Sequence, residues 1–122
     1  MKITRDPVSV NTVRTLARGA IVVGDTTFTT NIGLTTNAVI ENWPDCAIDE
    51  LCEGTLAPIL DHSPELLVLG SGWTHQFAPR ELVFALARRG IGFEVMDTPA
   101  ACRTFNILVA EGRLPAAVFY NA

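Results

Sequence analysis

Three side chains of this sequence could take part in covalent chemistry, and two short segments could hold a ligand. Ser71 lies in Gly70-Ser71-Gly72, His75 follows four residues later, and Cys102 stands further along the chain. A hydroxyl or thiol nucleophile needs a base within hydrogen-bond reach and a third group to orient that base. The spacing supplies no such contact, and Ser71 does not stand in G-x-S-x-G. Cys102 lies four residues past Thr98, close to an expected helix start, where the helix dipole could lower a thiol pKa. Core packing is the competing expectation, because cysteine is among the residues most often buried.

The two segments are Gly70-Ser71-Gly72, which closes an unbroken apolar run, and Met96-Asp97-Thr98, which closes a second. Strands of a parallel sheet gather ligands beyond their C-terminal ends. If the two runs are neighbouring strands, Gly70, Ser71, Gly72, Met96 and Thr98 share one rim. The helix expected from Thr98, its N-cap, with Pro99 as first helical residue, would aim free N–H groups at that rim. Glycines there would let a small anion or polar ligand approach the backbone. Asn106, polar within the apolar stripe of the same helix, is a further candidate, either as a ligand contact or as a bond to backbone in a nearby loop. The competing reading of the glycines is a tight turn. The segment is neither G-x-G-x-x-G nor a Walker loop, and Pro79 lies seven residues beyond Gly72, so nucleotide binding is not expected. Trp73, His75 and Phe77, in the loop after the glycines, are candidate partner-binding residues, as aromatics often anchor interfaces; otherwise they cap the core. His62 and His75 lack paired ligand spacing, so neither a metal nor a cofactor is expected. Glu111 and Arg113 flank Gly112 and are expected to pair locally at little gain.

These residues must be held by an α/β frame. Leu66–Leu69 reads as a strand buried on both faces. Pro79 opens a helix with Leu82, Val83, Leu86 and Ala87 on one face, and Gly90 stops it. Ile91–Met96 is the next strand, Ala101, Phe105, Leu108 and Val109 are the buried stripe of the Thr98 helix, and Ala116–Phe119 is the last strand. Strand and helix alternating with short links predict a parallel βαβαβ unit. The first third reads as antiparallel β: a lead-in over 1–18 that is irregular or holds one short strand, a strand at Ala20–Val23, a turn at Gly24-Asp25, one strand over Thr26–Ile32 and another over Ala38–Ile40. A short helix is predicted over Thr55–Asp61, with Pro58 confined to its first turn.

The bulk properties bound the function. The 122 residues are 48% hydrophobic and 18% charged, and mean hydropathy is +0.29, which suits one folded domain over 1–122 with a true core. A net charge of −4 argues against nucleic acid and against anionic membrane surfaces. The local exception is Arg80, Arg88 and Arg89, which gather on one expected helix; the last two suit its dipole, and the competing reading is a basic binding patch. Three cysteines with no CxxC fit free thiols in a reducing compartment. The start of the chain shows no signal-peptide core, and no apolar run reaches membrane-spanning length. The expectation is a cytoplasmic protein, without membrane insertion, as a monomer or homodimer.

The C-terminal half resembles a known family. The residues that carry the likeness are Leu67-Val68-Leu69-Gly70-Ser71-Gly72, Pro79, Gly90-Ile91, Glu94-Val95-Met96-Asp97-Thr98, Ala100-Ala101, Thr104-Phe105-Asn106, Leu108, Glu111-Gly112-Arg113 and Ala116-Ala117. They resemble the Mth938-like family, also called DUF498. The resemblance implies a three-layer α/β fold with a mixed central sheet and an additional β layer. It implies no established catalytic activity, and mitochondrial relatives that take part in assembling respiratory complex I. Ser71 stands where the family often has threonine. Phe105 stands where it often has tyrosine, so a hydroxyl is missing here. Two functions remain open. One is a non-catalytic interaction or assembly factor with a protein partner. The other is a small-molecule binder or enzyme using the strand-end cleft.

Overall fold

The computed structural model describes residues 10–122. Of the lead-in over 1–18, residues 1–9 lie outside the described part, and Val13–Ala17 forms strand β1. β1 pairs antiparallel with β2 (Ala20–Val23), which pairs with β3 (Thr26–Phe28), making a three-stranded sheet. The stretch Thr26–Ile32 is therefore not one strand. It breaks after Phe28, and β4 (Ile32–Thr35) enters a second sheet beside β5 (Val39–Glu41). The break is stabilised from far along the chain. The Asn121 side chain donates to the carbonyls of Phe28 and Thr30 at 3.1 and 2.9 Å, and its N–H donates to Asn31 Oδ1 at 2.9 Å. Backbone groups that leave a ladder need partners, and Asn121 supplies them.

After a 3₁₀ turn at Ile48–Glu50, helix α1 spans Glu53–Leu60. It starts two residues before the predicted position, which places Pro58 in its second turn. Then follow β6 (Leu66–Gly70), α2 (Arg80–Arg88), β7 (Gly92–Met96), α3 (Thr98–Ala110) and β8 (Pro115–Phe119). Pro79 is the N-cap of α2 rather than its first helical residue. The larger sheet runs β5-β4-β8-β6-β7, with β6 parallel to both β7 and β8 and β4 antiparallel to β8.

Side-chain alternation divides the core into two. Val68, Ala117 and Phe119 point to one face, where they meet Ala101 and Phe105 of α3 and Ile21 and Phe28 of the small sheet. Leu67, Leu69, Ala116 and Val118 point to the other, against Leu56 and Ile59 of α1 and Leu82 and Leu86 of α2. The layers are thus α1 and α2, the mixed sheet, then α3 with the small sheet, which is a three-layer α/β fold. Phe105 is fully buried edge-on to Phe119, with ring centres 6.1 Å apart.

Asn106 fastens the small sheet to α3. Its Oδ1 accepts from the Val13 N–H at 2.9 Å, and its Nδ2 donates to the Val13 carbonyl at 2.8 Å. The carboxamide thereby imitates one residue of a neighbouring strand, at the point where the register of β1 shifts. Replacing Asn106 with Ala leaves both Val13 groups short of a partner. Urea unfolding of N106A is expected to show a loss of about 1–3 kcal/mol; unchanged stability would mean that the pair does not hold the sheet.

Candidate functional site

Because β6 and β7 are parallel neighbours in register from Leu66↔Gly92 to Gly70↔Met96, the segments that leave them meet at one rim. The Ser71 N–H donates to the Met96 carbonyl at 2.8 Å, and the Thr98 N–H to the Gly72 carbonyl at 2.7 Å. Thr98 is not the N-cap. That role falls to Asp97, whose carboxylate accepts from the Ala100 N–H at 2.9 Å. Thr98 is the first helical residue, fully buried, with Pro99 next. Its hydroxyl accepts from the Gly72 N–H at 2.9 Å and donates to the Tyr120 carbonyl at 2.7 Å. The Tyr120 N–H in turn donates to the Gly70 carbonyl at 2.9 Å. One hydroxyl thus ties together the ends of β6, β8 and α3.

The rim glycines accommodate the chain itself. A Cβ on Gly70 would lie 2.8 Å from Thr98 Oγ1 and 3.0 Å from Thr98 Cα, and a Cβ on Gly72 would collide with the Ala122 carbonyl. Gly72 also has φ +101°, a conformation that favours glycine. The same Ala122 carbonyl accepts from the Trp73 N–H at 3.4 Å. The amides of Ser71, Gly72, Trp73 and Thr98, which a ligand would use, therefore have partners within the chain. Asn121 Oδ1 is the buried side-chain polar atom without a partner among the described residues. Asn106 does not join this rim. It lies eight residues further along α3, about 12 Å at helical rise, and bonds β1 rather than a loop. Near it is a shallow hollow of about 290 Å³ lined by Val13, Leu16, Cys102 and Arg103 among others.

Beyond the rim, residues 71–77 form an ordered loop. Ser71 is 1% exposed. Its hydroxyl donates to the Thr74 carbonyl at 2.9 Å and accepts from the Gln76 N–H at 3.1 Å, while the Gln76 side chain donates to the Ser71 carbonyl at 3.2 Å. A hydroxyl so engaged is a loop organiser rather than a nucleophile. The loop presents His75, exposed, edge-on to Phe77 with ring centres 5.0 Å apart. Phe77 is 85% exposed, and Trp73 is half-buried.

The thiols divide by environment. Burial pushes Cys102 up to about 12, against a slight lowering by Arg103, and the residue is 3% exposed. Of the two expectations for Cys102, core packing outweighs the helix dipole. Exposed Cys52 is shifted down by its hydrogen bonds with Thr55. Burial raises the Tyr120 phenol, which donates to the Cys46 carbonyl at 2.8 Å. Among the described residues no three His, Cys, Asp or Glu side chains gather as metal ligands would. Arg113 pairs with Glu65 rather than Glu111, and Arg89 with Glu53, each at 3.4 Å and largely exposed. At the opposite end of the strands lies a hollow of about 490 Å³, whose lining includes Thr35, His62, Ser63, Arg113 and Leu114. It joins segments far apart in sequence, and no local pattern marks it.

Comparison with known proteins fits this geometry. The profile of a family described as a protein of unknown function (DUF498/DUF598) matches residues 13–120. The chain belongs to the DUF498 family. A relative from Danio rerio, named NADH dehydrogenase (ubiquinone) 1 alpha subcomplex assembly factor 3, is 42% identical over 73 residues, covering 60% of this chain and 40% of that protein. The chain thus matches well under half the length of that curated relative. The crystal structure of a Bordetella parapertussis protein superposes with a TM-score of 0.86 at 31% identity, covering 95% of this chain and 99% of that one. A Bordetella pertussis protein described as a Mth938-like domain gives 0.79 at 28%, covering 99% and 92%. The fold of this DUF498 chain is therefore Mth938-like. No helix among the described residues is long and apolar enough to cross a membrane.

Two outcomes follow from the rim and the buried thiol. Thr98→Val keeps the shape but strands the Gly72 N–H and the Tyr120 carbonyl. It is expected to cost about 2–4 kcal/mol in urea unfolding, with Thr98→Ser recovering much of that. Cys102 has an ordinary value of 9.0 when unfolded and about 12 when folded, so the native state keeps a proton that the unfolded chain releases. Its contribution is full below pH 9 and is lost as pH rises toward 12. Between those values stability should fall with a slope approaching ~1.4 kcal/mol per pH unit from this group. Tyr120 adds in the same direction above pH 10. Cys102→Ala should remove the Cys102 part of the slope, as read by urea unfolding at pH 8 and pH 10.

Proposed function

We propose that this chain is a non-catalytic assembly factor that presents a protein-binding surface around residues 71–77, in keeping with a role in respiratory-complex assembly. The observation that carries the reading is the contrast between the two sides of the rim. Inside, Gly70, Ser71, Gly72, Met96 and Thr98 spend their polar groups on one another, on residues 120–122 and, for the Ser71 hydroxyl and carbonyl, on Thr74 and Gln76. Outside, an internally bonded loop holds Phe77 in water beside His75. An aromatic held in place loses little entropy on docking and buries a large area. Membership of DUF498, with a relative named as an assembly factor, supports the same reading. A small ligand at the rim would first have to displace Tyr120–Ala122 from Gly70 and Gly72, which makes it the weaker alternative. The net charge of −4 goes with a protein rather than a nucleic-acid partner, and three free thiols go with a reducing cytoplasm. We take residues 1–122 as one domain.

The test is affinity capture with the tagged chain under crosslinking, comparing wild type with Phe77→Ala and Trp73→Ala. Loss of one anchoring aromatic is worth about 1–2 kcal/mol, roughly tenfold in affinity. Phe77→Ala is expected to keep the thermal midpoint within about 2 °C and to reduce the specifically captured protein by about that factor. Capture equal to wild type in both variants would overturn the proposal.

A further inference from the structure

Each sheet ends in two edge strands, so the described residues present four edges: β1, β3, β5 and β7. An open edge is a row of unpaired backbone groups, and folded proteins ordinarily blunt it with short length, bulges, proline, lysine or cover. Three of the four edges are blunted. β3 and β5 are three residues long. β1 is interrupted by a register shift, and Asn106 occupies both backbone groups of Val13. β7 is different: it runs five residues in unbroken register with β6 and carries no lysine or proline.

The ladder fixes which of its groups are free. The Gly92 N–H donates to the Glu65 carbonyl, and the Met96 carbonyl accepts from the Ser71 N–H. Gly92, Glu94 and Met96 therefore turn their backbone groups toward β6. Strand alternation turns those of Phe93 and Val95 outward, where no further strand lies among the described residues. Apolar side chains border this edge. Phe93 and Val95 are half-buried and pack on the α2 side. Met96 accepts the Thr104 hydroxyl of α3 at 3.2 Å, and Ile107, one turn beyond Thr104, is 58% exposed. Glu94 is the one charged residue of the strand, and its side chain is exposed on the Met96 face.

We propose that β7 is a strand-addition site for an extended partner segment in which a lysine or arginine lies between apolar residues. This deepens the protein-partner reading above and rests on it. The outward groups of Phe93 and Val95 would complete their hydrogen bonds with the added strand, and its basic residue would sit across from Glu94. A second copy of this chain is disfavoured in the longest pairing. Antiparallel β7 on β7 in full register sets Glu94 directly opposite Glu94, and like charges at that position are destabilising.

The test uses the whole ¹⁵N-labelled chain and two synthetic alternating valine–threonine peptides that differ only in a central lysine or glutamate. The lysine peptide is expected to slow amide hydrogen exchange at Phe93 and Val95, while Gly92 and Glu94, already in the ladder, change little. It should bind about threefold or more tightly than the glutamate peptide, and Glu94→Lys should reverse that preference. Val95→Pro removes an outward N–H without touching the β6 ladder and should abolish binding. Should that variant fail to fold, the Glu94→Lys reversal still decides. Unslowed exchange at Phe93 and Val95 with millimolar peptide, or equal binding of the two peptides, would overturn the proposal. So would sedimentation showing a wild-type dimer that Glu94→Lys alters. The titration reads β7 alone and affinity capture reads the 71–77 loop, so either can fail without the other.

Discussion

The Thr98 hydroxyl is the joint on which the strand-end rim depends. It is fully buried, accepts from Gly72 and donates to the Tyr120 carbonyl. A buried hydroxyl with donor and acceptor both engaged stabilises its surroundings, whereas either partner left alone would carry a desolvation cost. The neighbouring features follow from it. Gly70 has to be glycine because Thr98 packs against the position a Cβ would take. Gly72 has to be glycine because residue 122 closes over it. Asp97 takes over the capping role because the residue after it is needed inward.

That arrangement separates this chain from the nucleotide-binding proteins whose strand order it partly shares. In those folds, glycines at the end of the first strand bring backbone amides up to a phosphate at a helix N-terminus. Here a comparable glycine pair and helix start face each other, and their amides serve the chain itself. The two surfaces proposed above lie outside the rim: the His75–Phe77 pair on a bonded loop, and the β7 edge with the outward backbone groups of Phe93 and Val95. If they engage protein as proposed, their support by the sheet and the bonded loop would lower the entropic cost of docking.

Much of this architecture is legible in the sequence, for a local reason. β6 and β8 are continuous apolar runs because they are buried on both faces, and α2 and α3 announce themselves through proline, glycine and a 3.6-residue period. The buried stripe of α2 is nonetheless Leu82, Ala85 and Leu86 rather than Leu82, Val83, Leu86 and Ala87: Val83 and Ala87 face outward. That β6, β7 and β8 run parallel follows from alternation and short links, whereas the adjacency of β6 and β7, and so the meeting of residues 70–72 with 96–98, rests on the ladder between them. The errors arise where distant residues decide. Nothing near Thr26–Ile32 reports that Asn121, some ninety residues on, will bond Phe28 and Thr30 and break the strand. Asp97 and Thr98 are both good caps, and the cap falls to Asp97 while the Thr98 hydroxyl is engaged by the Gly72 N–H and the Tyr120 carbonyl. Asn106 reads equally as a ligand contact or a backbone partner until Val13 is placed beside it. Residues 120–122, which occupy the rim, carry no sequence signal of doing so.

Site-resolved amide hydrogen exchange on the uncomplexed chain at neutral pH tests the closed rim most directly. If the Thr98 hydroxyl and residues 120–122 seal the strand ends, the Gly72 and Thr98 amides should be protected to within about tenfold of Val68 in the middle of β6, exchanging only as the core opens. Exchange at Gly72 and Thr98 thousands of times faster than at Val68 would mean that the rim stands open to solvent and that a ligand pocket, not a sealed joint, lies at the centre of this fold.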